Sequence, residues 1–145
     1  MFTYKEIEKD DLAALAAMYV ETFNAPPWND AWSQETAEIR LRQMAEAKTF
    51  YGICAFEGEM LCGMIFGFAE QFYDGVLFEI KEFCVKNASR GNGIGSAIYR
   101  EFEKRLRERN IKEILGDDFS FSINYCDSIQ KSKNGKLKQV VNLIK

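Results

Sequence analysis

The sequence predicts an α+β domain with a mixed, mostly antiparallel sheet flanked by helices. Three observations lead there. Short β-rich runs separated by tight turns fill residues 49–85. Two segments with helical apolar spacing precede them and a third follows. Only one strand–loop–helix–strand unit is present, after Val76, so the chain lacks the repeated crossovers of a doubly wound fold.

Each element has its own signal. Phe2 to Ile7 alternates with a period of two, as a half-buried strand does. Asp10 or Asp11 then stands where a short carboxylate caps a helix. Leu12, Leu15, Ala16, Tyr19, Val20 and Phe23 recur at helical spacing and form one apolar face. The run Asn24-Ala-Pro-Pro-Trp-Asn-Asp ends that helix, because a residue before proline is pushed out of the α region. Ser33 caps a second helix that reaches about Ala47 and carries Ile39, Leu41, Arg42 and Met44. Thr49 to Phe56 and Met60 to Ala69 flank the turn Glu57-Gly58-Glu59 and read as a hairpin. Gln71 to Gly75 turns the chain again, and Val76 to Val85 is a fourth strand. A helix from Ile94 to about Asn110 repeats Ile94, Ile98, Phe102 and Leu106 every four residues, and Ile111 to Leu115 is strand-like. Late in the chain, Leu137, Val140, Val141 and Ile144 fit a short amphipathic helix, and Lys136 to Ile144 fits a strand equally well.

Composition narrows the chemistry. The 145 residues suit one domain with its own core. Apolar residues make up 47% and aromatic residues 14%, which excludes a disordered or low-complexity chain. The net charge of −3 lacks the basic footprint of a nucleic-acid binder. Residues 128–145 hold five lysines and no acid, but no aromatic residue accompanies them as a stacking platform. Histidine is absent, which removes Ser-His-Asp and Cys-His catalysis and His-ligated metals together. Cys54, Cys62, Cys84 and Cys126 form no CxxC pair and read as buried small hydrophobes in a reducing compartment, with no metal site. No run has the length of a signal-peptide core or a membrane span, so the expected location is cytoplasmic.

The informative segment is Phe78-Glu-Ile-Lys-Glu-Phe-Cys-Val85, then Lys-Asn-Ala-Ser, then Arg90-Gly-Asn-Gly-Ile-Gly-Ser96. A strand feeds a glycine loop that opens a helix. Glycines admit a ligand close to the backbone, and a helix N-terminus offers unpaired N–H donors at the positive end of its dipole. A phosphate or pyrophosphate suits such a loop, and Arg90 adds a charge-assisted donor. GxxxxGK[ST] is missing and the glycines are spaced GxGxG, so neither the P-loop nor the dinucleotide fingerprint applies.

Arg90 to Gly95 reads RGNGIG and resembles the [QR]xxGx[GA] signature of the GNAT superfamily of acetyl-CoA-dependent N-acetyltransferases. The order of elements over residues 1–115 is similar to theirs as well. Asn24-Ala-Pro-Pro-Trp-Asn and Lys81-Glu-Phe-Cys-Val85 look like a bacterial subgroup that acts on aminoglycosides or other small amines. The resemblance implies acetyl-CoA as cosubstrate. Its pyrophosphate would lie on Gly91, Asn92, Gly93, Ile94, Gly95 and Ser96 beside Arg90, and its pantetheine arm would pair with the strand end at Cys84 and Val85. It implies direct attack by a substrate amine, with Glu82 or Glu79 as base, and an acceptor pocket lined by Trp28, Trp32 and Tyr73.

The resemblance covers residues 1–115. Residues 116–145 form an atypical lysine-rich segment of the same domain. Lys131 stands where family members carry the tyrosine that protonates the departing thiolate, and Lys136 replaces the final aromatic. The two last strands are expected to be missing or altered, which would leave a sheet edge open to a second copy and so to a homodimer. The expected function is acetyl transfer from acetyl-CoA to a small, cationic amine. The alternatives are a degenerate member that binds coenzyme A without turnover and an interaction module whose glycine loop is only a turn.

Overall fold

The computed structural model describes residues 1–110, 120–123 and 139–144. The strands are β1 (Phe2–Glu6), β2 (Phe50–Glu57), β3 (Met60–Phe72), β4 (Gly75–Val85), β5 (Ser120–Ile123) and β6 (Gln139–Ile144). The helices are α1 (Leu12–Phe23), α2 (Gln34–Ala45) and α3 (Ile94–Arg105). One sheet runs in the order β1-β2-β3-β4-β6-β5, and each neighbouring pair is antiparallel. The predicted class and the first four strands therefore hold. Two short strands, β5 and β6, follow on the far side of β4, and β6 settles the ambiguous tail as extended. The strand expected at Ile111–Leu115, and Lys131, Lys136 and Cys126, lie outside the described residues.

The two sheet faces carry different helices. On one face α1 buries Leu12, Leu15, Ala16, Tyr19 and Phe23, and α2 buries Ala37 and Leu41, all against Cys54, Met64, Phe66 and Cys84 of the sheet. On the other, Ile94, Ile98 and Phe102 of α3 pack with Leu106 on Ile53, Ala55, Ile65, Val76, Phe78 and Ile80. Each large apolar side chain so enclosed contributes about 1.5–3 kcal/mol before conformational entropy is counted. α3 continues past Arg105 into a wider π turn, Leu106–Asn110.

Capping follows the sequence at α2 and departs from it at α1. The Ser33 hydroxyl accepts the Thr36 amide at 3.0 Å. Asp11 instead reaches back: its carboxylate accepts the Glu8 amide at 2.8 Å and pairs with Lys5 at 2.7 Å, and it makes no cap bond to α1. Cys54, Cys62 and Cys84 are buried, as expected of small hydrophobes. Burial pushes the Cys54 thiol up to about 11, with the Asp11 carboxylate adding to the effect.

A bulge in β4 decides what this strand presents. Phe66 lies opposite Glu82 but Gly67 lies opposite Ile80, so Lys81 is an extra residue. Before it, Val76, Phe78 and Ile80 face α3. After it the parity reverses: Glu82 and Cys84 face α1 and α2, while Phe83 and Val85 turn to the α3 side. Glu79 and Glu82, three positions apart, would face opposite ways on a regular strand; the extra residue puts both on the α1/α2 face. Gly67 permits this. A Cβ there would overlap the Glu79 carbonyl, so the β3 backbone approaches β4 closely only because the position is glycine.

Candidate active site

The glycine loop starts at a fixed point. The Lys86 amide donates to the Cys62 carbonyl at 2.7 Å, tying the end of β4 to β3. A single 3₁₀ turn, Asn87–Ser89, follows, and the Arg90 amide closes it on the Asn87 carbonyl at 3.3 Å. Gly91 and Gly93 then take φ of 83° and 75°, left-handed values that suit glycine. A Cβ at either position would meet nothing within 4 Å, so the loop's outer side is open.

α3 begins here without a cap. Gly93 has no side chain to offer, and its carbonyl accepts the Ala97 amide at 3.0 Å. The amides of Ile94, Gly95 and Ser96 therefore have no acceptor within the helix. They border a cleft of about 390 Å³ lined by Phe83, Val85, Arg90, Gly91, Gly93, Ile94, Gly95 and Ser96. The cleft combines an apolar floor, a turn of donors and one exposed cation. That donor set fits a phosphorylated carrier with an uncharged arm.

Most of the loop residues predicted from sequence line this cleft. Asn92 does not. Cys84 is turned the other way, buried on the α1/α2 side, so only its backbone is available. Phe83 was missed in the sequence, although strand alternation places it on the same face as Val85. Among the described residues, the outer edge of β4 pairs with β6 from Val76 to Ile80. Lys81 to Val85 carry the strand on past that stretch to the loop.

Glu82 is held more tightly than a solvated strand carboxylate. Its side chain is buried, and its Oε1 accepts the Tyr19 hydroxyl at 3.1 Å and the Arg40 Nε and Nη2 at 3.0 and 2.8 Å. Its cation is Arg40 of α2. Oε2 takes no hydrogen bond among the described residues. Burial disfavours the Arg40 cation, but the Glu82 carboxylate outweighs this and holds the guanidinium's pKa above its ordinary value. Burial, reinforced by the charge on Glu82, also raises the Tyr19 phenol. Glu79 pairs with Lys81 at 3.3 Å, and Lys81 also reaches Glu70 at 3.4 Å.

The connection between α1 and α2 overhangs this region. Asn24 fixes it with a matched pair of bonds, accepting the Trp32 amide and donating to the Trp32 carbonyl, both at 2.9 Å. Trp32 stands edge-on to Tyr19 at 5.3 Å and lies 5.8 Å beneath the Arg40 guanidinium. Trp28 rests edge-on against Phe23 at 5.1 Å and has the Arg90 guanidinium over its ring at 5.0 Å. Tyr73 does not join them. It is fully exposed at the β3–β4 turn, at the opposite end of β4 from the glycine loop, roughly 30 Å away along a strand of this length. No group of metal-ligating side chains occurs among the described residues, and none of their helices is long and apolar enough to cross a membrane.

Comparison with known proteins agrees with this geometry. No curated sequence matches the chain significantly. Among solved structures, a possible acetyltransferase from Clostridium difficile 630 superposes with a TM-score of 0.62 at 12% identity, covering 76% of this chain and 74% of that one. A GNAT family acetyltransferase from Staphylococcus aureus gives 0.57 at 16% identity, covering 72% and 79%. An aminoglycoside acetyltransferase from an uncultured soil metagenomic sample, in complex with sisomicin, gives 0.56 at 16%, covering 74% and 70%. These likenesses show a shared fold. The sequence model of the acetyltransferase (GNAT) family matches residues 12–120, a stretch that holds both helices of one face, the bulged strand and the whole glycine loop. The chain belongs to the GNAT family of acetyltransferases, which move an acetyl group from acetyl-CoA to an amine.

Proposed function

We propose that this chain is a cytoplasmic enzyme that acetylates the primary amine of a small, cationic molecule such as an aminoglycoside. The observation that carries the reading is the open cleft in which uncapped α3 amides, two left-handed glycines and Arg90 meet Phe83 and Val85 at the end of β4. The loop amides and Arg90 receive the pyrophosphate of coenzyme A. The end of β4 pairs with the pantetheine arm, through backbone groups at Cys84 and Val85. Acetyl-CoA supplies a thioester whose acyl carbon a neutral amine attacks directly. A backbone N–H at that strand end stabilises the charge developing on the carbonyl oxygen.

The amine must lose a proton, and both candidate bases lie on the acceptor side of the bulge. Glu82 offers Oε2 while Arg40 and Tyr19 hold Oε1 in place. Glu79, paired with Lys81, adds a second carboxylate on the same face. These acids, with Glu70, favour a cation as acceptor. Trp32 forms the acceptor-side wall. Tyr73, at the far hairpin, is not carried into the proposal. Among the described residues the sheet ends in β1 on one side and β5 on the other; pairing of such an edge with a second copy would give the homodimer that sedimentation can detect.

The test is coenzyme A-dependent thermal stabilisation of the wild type and of Gly93→Asp, followed by thiol release from acetyl-CoA over a panel of amines. A ligand that binds only the folded state raises the apparent stability by about 2.7 kcal/mol at a hundred times its Kd. The wild type is expected to shift and Gly93→Asp to shift far less, because the new carboxylate occupies the open side of the loop and repels phosphate. Equal shifts for both would refute the loop assignment. Stabilisation without thiol release from any cationic amine would refute the catalytic one.

A further inference from the structure

Trp28 sits in the α1–α2 connection, where the family resemblance implies the acceptor pocket. Its contacts point elsewhere. The indole stands T-shaped to Phe23, with ring centroids 5.1 Å apart. The Arg90 guanidinium lies over the ring, 5.0 Å from its centroid. The indole Nε1 is buried and has no acceptor among the described residues, so contacts on the ring and not a hydrogen bond fix its position. The segment that carries it is anchored on both sides, by the Asp30 amide on the Phe23 carbonyl at 2.9 Å and by the Asn24–Trp32 pair.

Arg90 itself is exposed and lines the cleft with Gly91 and Gly93. An exposed arginine has many rotamers, and fixing one on a phosphate costs conformational entropy. A guanidinium held over an aromatic ring by cation–π attraction makes no hydrogen bond there and keeps N–H donors for another partner. We infer that Trp28 is a positioning residue of the cosubstrate site: its ring holds the Arg90 guanidinium in place so that donors turned away from the ring stay available to the phosphates on the glycine loop. This rests on the reading of that loop as the pyrophosphate site. It also gives the α1–α2 connection two jobs, with Trp32 facing the acceptor side and Trp28 serving coenzyme A.

Isothermal titration with two probes tests this: coenzyme A, and pantetheine, which lacks the phosphates. Trp28→Leu is expected to weaken coenzyme A by roughly 10-fold, the loss of a ring-held and therefore pre-oriented phosphate contact. Pantetheine affinity should not change, which also shows that the variant is folded. Trp28→Phe, which keeps a ring face, should lose only about 3-fold. In an Arg90→Ala background, Trp28→Leu should have no further effect on coenzyme A. An equal loss in both backgrounds, an equal loss for pantetheine, or no loss at all would overturn the inference. If Trp28→Leu does not fold, Trp28→Phe decides through the same cycle. Failure of the wild type to bind coenzyme A would instead overturn the loop reading.

Discussion

Replacing Arg40 by methionine should destabilise the protein by about 2 kcal/mol, and the figure follows from how the ion pair is buried. Breaking a fully buried pair by removing one partner costs about 3–5 kcal/mol, because the other charge is left without compensation. Here the two partners differ: the Glu82 side chain is 4% exposed and Arg40 is 42% exposed. Water can reach the place vacated by the guanidinium and screen part of the charge, so about half of the full cost is expected. Unfolding entropy of about 2.1 cal/mol/K per residue gives roughly 0.3 kcal/mol/K for a chain of this length, so the melting temperature should fall by about 7 °C. Differential scanning calorimetry of four proteins completes the argument: wild type, Arg40→Met, Glu82→Gln and the double variant. The neutral amide that Glu82→Gln introduces still accepts the Tyr19 hydroxyl and no longer needs a counter-ion, so Arg40→Met should cost under about 1 kcal/mol in that background. The reasoning fails if Arg40→Met melts within about 2 °C of wild type, or if its cost is the same with and without the carboxylate.

Two further outcomes follow from packing and ionisation. Gly67→Ala forces a Cβ into the Glu79 carbonyl; a loss of about 3 kcal/mol is expected by urea titration, at the upper end of overpacking costs. Cys54 holds its thiol pKa raised to about 11 in the folded state, chiefly through burial, above the ordinary value of 9.0. The unfolded chain therefore ionises first. Its share of stability is complete below pH 9 and is lost as the pH rises towards 11. Cys54→Ala should start less stable and lose less over that interval, which thermal melts from about pH 8 to about pH 11 can measure.

Much of this could be read along the chain because the signals are local. The α1 face, the Ser33 cap and the glycine loop each depend on residues within a few positions of one another, and all three appear where the sequence places them. The bulge at Lys81 could not be found that way. It depends on Gly67 in a neighbouring strand, and the isolated glycine was the only hint. Arg40 was overlooked as the partner of Glu82 because 42 positions separate them and only the packing of α2 on the sheet joins them. Tyr73 was misplaced because a loop assignment says nothing about which end of an 11-residue strand the loop occupies. The tail around Gln139–Ile144 stayed open between helix and strand because its apolar residues satisfy both periods; the pairing of β6 with β4 is a long-range fact.

The bulge at Lys81 lets one strand serve both helix layers. Its first half gives Val76, Phe78 and Ile80 to the core beneath α3, and its second half gives Glu82 and Cys84 to the core beneath α1 and α2. A single inserted residue, matched to a single glycine across the ladder, thus sets which layer receives the buried carboxylate, and a side chain added at Gly67 would be felt on both sides of the sheet at once.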